Sequence, residues 1–319
     1  MSAMPGVVRT VLGDAPVGDL GRVNYHEHLF QVSPLLPGDE LADEPASQAE
    51  AASLLSSGFD TMVDATPIGL GRNPEAVARI SRATGLTVVA TTGAHRDAHY
   101  PTGHWLRDLD AQALTALFVA DLTTGMPRVD GSGERASGPD GAPVRAGALK
   151  AGVGYWSISG FERAVLEAVA AAHTATGAPV MVHLEFCTAA HEVLDLLERG
   201  GVASNRVALA HADRNPDAGL HLELAARGAF LGYDGMARPK TRTDAELLDL
   251  TATVVAAGGS VLLGGDVARS TRYAAYGGMP GLSYLGERYL PRLVARIGDD
   301  AVRGILTANA QRWLTWDVR

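Results

Sequence analysis

The sequence predicts a single (β/α)8 barrel, and three observations favour this fold. Eight short apolar segments alternate with helical patterns along the 319 residues. The segments are too apolar for half-exposed strands, and such runs are typical of parallel strands buried on both faces. The length suits one α/β barrel, because barrels of this size often form one domain. We therefore expect one domain over residues 1–319.

The eight predicted strands follow one another with a helix after each. They are Val23–His28, Phe59–Thr66, Leu86–Gly93, Ala146–Gly154, Pro179–Phe186, Arg206–Asp213, Ala229–Gly235 and Ser260–Val267. An open doubly wound sheet is the alternative. That fold usually carries a glycine-rich turn after its first strand, and this chain has HEHLF there.

The helices carry recognisable start and stop signals. Asn73 precedes a proline and predicts a helix N-terminus, and Gly85 ends that helix. A second helix is predicted over Phe161–Thr176 with Gly177 as its stop. Thr243–Glu246 fits a capping box.

The segment Val129–Val144, VDGSGERASGPDGAPV, is rich in glycine, serine, proline and charge. This composition predicts a flexible surface loop. The alternative is a lid over a functional site, because the segment shortly precedes Lys150.

Composition narrows the range of partners. The net charge of −9 argues against nucleic acid, because phosphate binding requires an excess of Lys and Arg. The single cysteine, Cys187, excludes an intrachain disulfide framework. The chain has no signal-peptide pattern and no apolar run near the ~20 residues of a membrane span. We expect a cytoplasmic protein that acts on a small molecule.

Potential metal ligands fall at the ends of five predicted strands, where barrel enzymes carry their chemistry. They are His26, His28, Lys150, His183, His211 and Asp266. Each residue alone is better explained as ordinary structure or surface. Their joint occurrence in one layer favours a metal site, with zinc as the leading ion and manganese, cobalt or iron as possible substitutes.

Two features of this set require explanation. His26 and His28 share one face of a strand and can bind one cation together. The alternative is that they are two ordinary polar residues on a solvated strand. An ammonium group on Lys150 would be repelled by two divalent cations. Lys150 is therefore either outside the site or chemically altered.

The strand-end motifs resemble the phosphotriesterase family of the amidohydrolase superfamily. They are HEH at His26–His28, GALKAG around Lys150, MVHLE around His183, LAHADRNPD around His211 and GGDVAR around Asp266. The opening RTVLGDAPVGDLGRVNYHEHLF, DATPIGLGRNPE and the closing ILTANAQRWL are also similar to that family. The resemblance therefore covers nearly the whole chain.

The resemblance implies a role for each ligand. His26, His28 and Asp266 would hold the more buried of two metal ions, and His183 and His211 would hold the other. It also implies that carbon dioxide carboxylates Lys150, which turns a repelled cation into a bridging anion. A bridging hydroxide would attack the substrate, with Asp266 as the catalytic proton acceptor. Family members are often homodimers.

We interpret the chain as a metal-dependent hydrolase of a lactone or related carboxylic ester. Phosphotriester or phosphodiester hydrolysis and amide hydrolysis with the same site are alternatives. A non-catalytic metal-binding barrel is an alternative of another class, but all six ligand positions are present. Cysteine chemistry at Cys187 is a further alternative, without an environment that would activate the thiol.

Loops after the strands supply the predicted substrate contacts. They are His95, Arg96, Tyr155, Trp156, Tyr233, Arg269 and Arg272, and Arg238 and Lys240 lie nearby. A basic mouth on an acidic protein favours a substrate with an anionic group. The alternative is that the arginines pair with acids such as Asp97 or Asp234. His99 and His104 are expected to face water.

Overall fold

The computed structural model describes residues 6–316 and contains a barrel of eight parallel strands. Residues 1–5 and 317–319 of the predicted domain lie outside the described part. The predicted (β/α)8 barrel is confirmed, and each of the eight predicted segments contains one barrel strand.

A short antiparallel hairpin, β1 (Val7–Thr10) and β2 (Gly13–Pro16), precedes the barrel. The barrel strands are β3 (Val23–Glu27), β4 (Thr61–Asp64), β5 (Thr87–Gly93), β6 (Ala148–Val153), β7 (Val180–Leu184), β8 (Val207–Ala210), β9 (Phe230–Tyr233) and β10 (Val261–Leu263). Consecutive strands pair in parallel from β3 to β10. The carboxyl ends of all eight strands therefore meet at one end of the barrel.

The α-helices cover the outside of the strands. They are α1 (Glu44–Ser56), α2 (Pro74–Thr84), α3 (Ala111–Thr123), α4 (Gly160–Thr176), α5 (Ala190–Arg199), α6 (Ala218–Ala226), α7 (Asp244–Ala256), α8 (Leu290–Ile297), α9 (Asp299–Gly304) and α10 (Ala310–Leu314). The Asn73 cap and the Thr243–Glu246 capping box form as predicted. Gly85 and Gly177 end α2 and α4 in the left-handed conformation that glycine adopts readily.

Strand residues alternate between two hydrophobic cores. In β6, Leu149 and Ala151 pack into the outer core beneath the helices, whereas Ala148 belongs to the inner core of the barrel. Lys150 lies between the two outward residues and therefore faces the interior. The same alternation turns His183 of β7 inward, since Val182 and Leu184 on either side of it pack outward.

The side chain of Trp313 packs inside the amino-terminal end of the barrel and acts there as an aromatic plug. Trp313 from α10 is fully buried, donates to the carbonyl oxygen of Val180 (3.1 Å) and meets the ring of Tyr25 edge to face. The plug leaves the opposite end of the barrel free for a cavity.

The first barrel strand is irregular at the predicted ligand pair. The pairing of β3 with β4 shifts register between Asn24 and Glu27. Such an irregularity breaks the simple alternation of side chains. Tyr25 and His26, although adjacent, both reach the Asp234 carboxylate inside the barrel.

The segment 129–144 is anchored at its start. The Asp130 carboxylate accepts hydrogen bonds from the backbone nitrogen of Gly69 and from Nε of Arg72, each at 2.7 Å. Isolated bridges join Pro127 to Arg135 and Ser137 to Pro143. If the segment acts as a lid, its movement has to break or carry along the Arg72–Asp130 pair.

Across residues 6–316, no helix combines the length and apolarity needed to cross a bilayer.

Candidate metal centre

A cavity of about 730 Å³ opens at the carboxyl ends of the strands. All six predicted metal ligands line it, namely His26, His28, Lys150, His183, His211 and Asp266. Every one of them is buried. The structure thus brings together residues that are up to 240 positions apart in the chain, as the sequence predicted.

The histidines form a continuous chain of ring contacts. The ring centroid of His26 lies 5.3 Å from that of His28 and 5.0 Å from that of His211. His183 follows at 4.6 Å from His211, and His95 at 4.4 Å from His183. Imidazoles this close would repel one another if protonated, so the cluster favours the neutral form that binds metal.

Burial has the same effect on the imidazoles. It lowers the pKa of His28 to about 3 and that of His211 to about 4. It also lowers the pKa of His183 well below its ordinary value. At neutral pH these side chains are therefore uncharged and carry a free nitrogen lone pair each.

Asp234, at the end of β9, orients two of these rings. One carboxylate oxygen lies 3.1 Å from Nδ1 of His26, and the other lies 2.6 Å from Nδ1 of His211. Because the carboxylate accepts a hydrogen bond from the N–H at each Nδ1 atom, each neutral ring is left with Nε2 as its unprotonated nitrogen. His26 Nε2 is buried and has no hydrogen-bond partner within residues 6–316.

Asp266 follows β10, and its two carboxylate oxygens have different partners. Its Oδ1 atom lies 3.5 Å from Nε2 of both His26 and His28. Its Oδ2 atom lies 3.0 Å from guanidinium nitrogens of Arg214 and Arg238. Burial opposes ionisation of the Asp266 carboxyl, but Arg238 and the imidazoles of His211, His26 and His28 together outweigh it and hold the pKa well below the ordinary value.

Lys150 is fully enclosed beneath the cavity. Its Nζ atom donates one hydrogen bond, to the carbonyl oxygen of Ala65 at 2.7 Å. Burial lowers the pKa of Lys150 to about 8, and the charges of Asp266 and Asp64 limit this decrease. An amine in this range is partly unprotonated near neutral pH, and the unprotonated amine is the form that can react with carbon dioxide.

The arrangement fits a metal centre on the donor set alone. His26, His28 and Asp266 each bring a ligand atom within 4.8 Å of the others, and the same holds for His26, His211 and Asp234. In the second group, the short Nδ1 contacts identify Asp234 as a hydrogen-bond acceptor. The Nε2 atom of His26 has no hydrogen-bond partner among the described residues, and this favours a metal ion held by the first group.

Four of the seven predicted substrate contacts line the cavity. They are His95, Arg96, Arg269 and Arg272. Tyr155 and Trp156 lie outside it and are largely exposed, although Tyr155 packs edge to face on Phe186, which lines the cavity.

The prediction that Tyr233 contacts the substrate is wrong. Its side chain is fully buried in the outer core, and its hydroxyl lies 2.6 Å from Nδ1 of His221. The alternation of β9 explains this, because consecutive strand residues face opposite sides and Asp234 takes the inward one. A ring enclosed between sheet and helix cannot touch a substrate in the cavity.

The prediction that His99 faces water is also wrong. His99 is buried, lines the cavity and lies with Nδ1 2.9 Å from the Ser33 hydroxyl. The loop after β5 folds back over the barrel and stacks His99 against His95, with ring centroids 3.9 Å apart. His104 is only partly buried and caps the short helix that follows it.

Several cavity residues were not identified from the sequence. Arg214 and Glu185 line the cavity, and Glu185 lies 2.9 Å from Nε2 of His183 and 3.2 Å from Nε of Arg96. Arg214 comes three residues after His211, which was the available signal. The orienting role of Asp234 depends on contacts across strands, and no sequence pattern reports these.

Cysteine chemistry is not supported by the structure. Cys187 is buried in the outer core, and burial raises the pKa of its thiol to about 12. A thiol in this environment stays protonated and unreactive.

A parallel barrel with a buried histidine–carboxylate cluster at the carboxyl ends of its strands defines a metal-dependent hydrolase. Comparison with known proteins gives the family. The profile of the phosphotriesterase family matches residues 6–314. The chain belongs to the phosphotriesterase family, whose members depend on bound metal.

Three relatives illustrate the range of this family. A phospho-furanose lactonase of Mycoplasmopsis agalactiae is 29% identical over 97% of this chain and 92% of its own. The N-acetyltaurine hydrolase of Danio rerio is 28% identical over 99% of this chain and 100% of its own. The crystal structure of a lactonase from Listeria monocytogenes superposes with a TM-score of 0.88 at 29% identity, covering 98% of this chain and 100% of that one.

Proposed function

We propose that this protein hydrolyses a lactone or related carboxylic ester that carries a phosphate group. The observation that carries the proposal is a set of cations around the metal-ligand cluster. Arg96, Arg214, Arg238, Lys240, Arg269 and Arg272 all line the same cavity. Two relatives are lactonases, and one of them is named for a phosphorylated furanose.

The cations differ in their availability to a substrate. Arg214 and Arg238 pair with Asp266, Arg96 pairs with Glu185, and Arg269 lies 3.4 Å from Asp39. These pairs agree with the alternative that arginines at the mouth are neutralised by nearby acids.

Arg272 and Lys240 have no carboxylate within 4 Å among residues 6–316 and line the cavity. Arg272 donates to the carbonyl oxygen of Met236 at 3.3 Å, which is an uncharged acceptor. Burial lowers the pKa of Arg272 to about 10, so the guanidinium still carries its charge at neutral pH. We assign the phosphate to Arg272 and Lys240, because an anion there would compensate both charges.

We propose that His26, His28 and Asp266 would hold one divalent ion, that His183 and His211 would hold a second, and that Lys150 would act as a further ligand once carboxylated. Zinc is the leading ion, and manganese, cobalt or iron suit the same ligands. Bound divalent ions supply a water of lowered pKa and polarise the carbonyl under attack. The carboxylation agrees with a buried lysine that makes one hydrogen bond and whose pKa is lowered.

Asp266 is assigned the transfer of a proton. Arg214 and Arg238 hold its Oδ2 atom and favour the carboxylate form, so Asp266 is ready to accept a proton. The low pKa also means that Asp266 does not retain the proton, and the departing alkoxide of the opened ester is a stronger base. His95 and Arg96 are proposed to contact the substrate beside the reacting carbonyl.

Amide hydrolysis is a second candidate, and the N-acetyltaurine hydrolase relative favours it. The same nucleophile and proton acceptor serve both reactions, so the ligand set does not distinguish them. The cation pair at Arg272 and Lys240 would serve any substrate with an anionic tail. We further propose that the protein works in the cytoplasm as a homodimer.

A substrate panel at matched metal content tests the proposal. Furanose lactones with and without a 5-phosphate, an N-acetylated amine with an acidic tail, and a phosphotriester are assayed with the same preparation. We expect the phosphorylated lactones to give the highest kcat/KM. Faster turnover of the phosphotriester or the amide would replace the proposed function with that activity.

A further inference from the structure

Glu27 stands between the ligands His26 and His28 but does not line the cavity. Its side chain is fully buried. Oε1 accepts hydrogen bonds from the side-chain amide of Asn24 (2.8 Å) and from the backbone nitrogen of Gly265 (3.0 Å). Oε2 accepts from the backbone nitrogen of Val267 at 2.9 Å.

The two backbone donors lie immediately before and after Asp266. One carboxylate therefore holds both neighbours of a proposed metal ligand. Gly265 packs so closely that a Cβ atom built there would lie 2.5 Å from Oε1 of Glu27, so another residue at this position would displace the carboxylate. Asp266 itself has a positive φ of 44°, a conformation that non-glycine residues adopt only when their surroundings impose it.

The hydrogen bonds of Glu27 also cross the seam of the barrel, which is the place where β10 meets β3. Parallel ladders join each neighbouring pair of strands from β3 to β10, but within residues 6–316 no ladder pairs β10 with β3. A backbone hydrogen bond from Asp266 to the carbonyl oxygen of His26 (3.0 Å) and the bonds of Glu27 connect the two edges. The seam separates Asp266 from His26 and His28, so its closure sets the geometry of that trio.

We infer that Glu27 is a positioning residue that closes the barrel seam and fixes Asp266 against His26 and His28. This inference rests on the proposed ligand set. It explains why an acid stands between the two histidines although it cannot reach the cavity. Loss of one arm of the contact should release the Asp266 loop and weaken metal binding before it weakens the fold.

Glu50 offers a matched control. It is also a buried carboxylate, and it accepts hydrogen bonds from the backbone nitrogens of Ala275 (2.7 Å) and Leu282 (2.8 Å). These donors lie in the same connection between β10 and α8 but away from Asp266. Glu27→Gln and Glu50→Gln therefore remove the same kind of contact at two distances from the ligands. In each variant the new amide group faces a backbone N–H, so one of the two arms is lost.

The test measures metal affinity, amide hydrogen exchange of the metal-free proteins, and kcat and KM. Glu27→Gln should bind divalent metal about 10- to 100-fold more weakly, as expected for the loss of a residue that supports a ligand. It should lower kcat more than it raises KM, and the amides of residues 265–267 should exchange faster. Glu50→Gln should keep the metal affinity and kcat of the wild type.

Metal affinity of Glu27→Gln equal to that of Glu50→Gln would overturn the inference and leave the proposed function intact. A wild-type protein that binds no metal would overturn both. If Glu27→Gln does not fold, exchange in the metal-free wild type decides. The Gly265 and Val267 amides should then be protected as strongly as those of β3, and exchange as fast as in an exposed loop would contradict the role of Glu27.

Discussion

The Nδ1 atom of His211 lies 2.6 Å from Oδ1 of Asp234, and this contact determines which nitrogen the ring offers to the cavity. The other oxygen of Asp234 does the same for His26 at 3.1 Å. One carboxylate thereby orients a ligand of each proposed metal ion. The two proposed ions would therefore be coupled through a residue that need bind neither of them.

Asp234→Asn should lower the affinity for at least one of the two proposed metal ions by about 10- to 100-fold. The asparagine side chain keeps one acceptor oxygen but turns its NH2 group toward one of the two Nδ1 atoms, so one ring loses its preferred tautomer. Metal titration of the variant measures the effect. Unchanged affinity for both ions would show that the histidines orient themselves without Asp234.

Arg272→Met should lower kcat/KM for a phosphorylated lactone by about 10- to 100-fold, the loss expected for a hydrogen bond to a charged group. The same variant should leave an unphosphorylated lactone nearly unaffected. Arg269→Met is the matched control, because Arg269 already lies near Asp39 and its side chain is 51% exposed. An equal loss on both lactones would place Arg272 in the structure of the site rather than in phosphate binding.

Recovery of metal by the metal-free enzyme should depend on bicarbonate. Lys150 can bridge two cations only after carboxylation, so zinc added in buffer free of carbon dioxide should restore less metal and less activity. Lys150→Arg cannot be carboxylated and should show low metal content with or without bicarbonate. Full recovery of the wild type without carbon dioxide would rule out the modification.

The stability of the metal-free protein should decrease as the pH is lowered, and His221 should be one cause of this decrease. Burial lowers the pKa of this imidazole to about 4. Its neutral form is matched on both sides, by the Tyr233 hydroxyl (2.6 Å) and the carbonyl oxygen of Asn215 (3.2 Å). Between pH 6.5 and 4 the unfolded chain binds a proton here and the folded chain does not, so acid favours unfolding.

The comparison of wild type with His221→Gln measures this contribution. The difference in unfolding free energy between them should shrink by up to about 3 kcal/mol as the pH falls from 7 to 4. His191→Gln, at a side chain that is 41% exposed, is the control for the substitution itself. A constant difference for His221→Gln would mean that the imidazole takes up its proton in the folded protein over the same pH range as in the unfolded chain.

The barrel and the convergence of the six proposed ligands were predictable because each depends on local pattern. Apolar runs locate parallel strands, and strand ends in a barrel converge whatever lies between them. His183 and Lys150 also follow the alternation of their strands, since their neighbours pack outward. Pattern and geometry agree at these positions, so sequence reasoning was sufficient.

Pattern and geometry disagree where the prediction failed. The position of Tyr233 at the end of the seventh barrel strand suggested the cavity, but strand alternation directs its side chain into the outer core. The His99 loop folds back onto the barrel through its contact with Ser33, 66 positions earlier. The roles of Glu27 and Asp234 arise from contacts across the barrel with residues more than 200 positions away. Such pairings cannot be read from one chain.

Lactone hydrolysis by enzyme stripped of metal, with the removal verified by elemental analysis, tests the central claim most directly. We predict that two divalent ions per chain are present before chelation, that activity is lost with them, and that it returns when metal and bicarbonate are restored. Full turnover by protein that contains no metal would contradict the account.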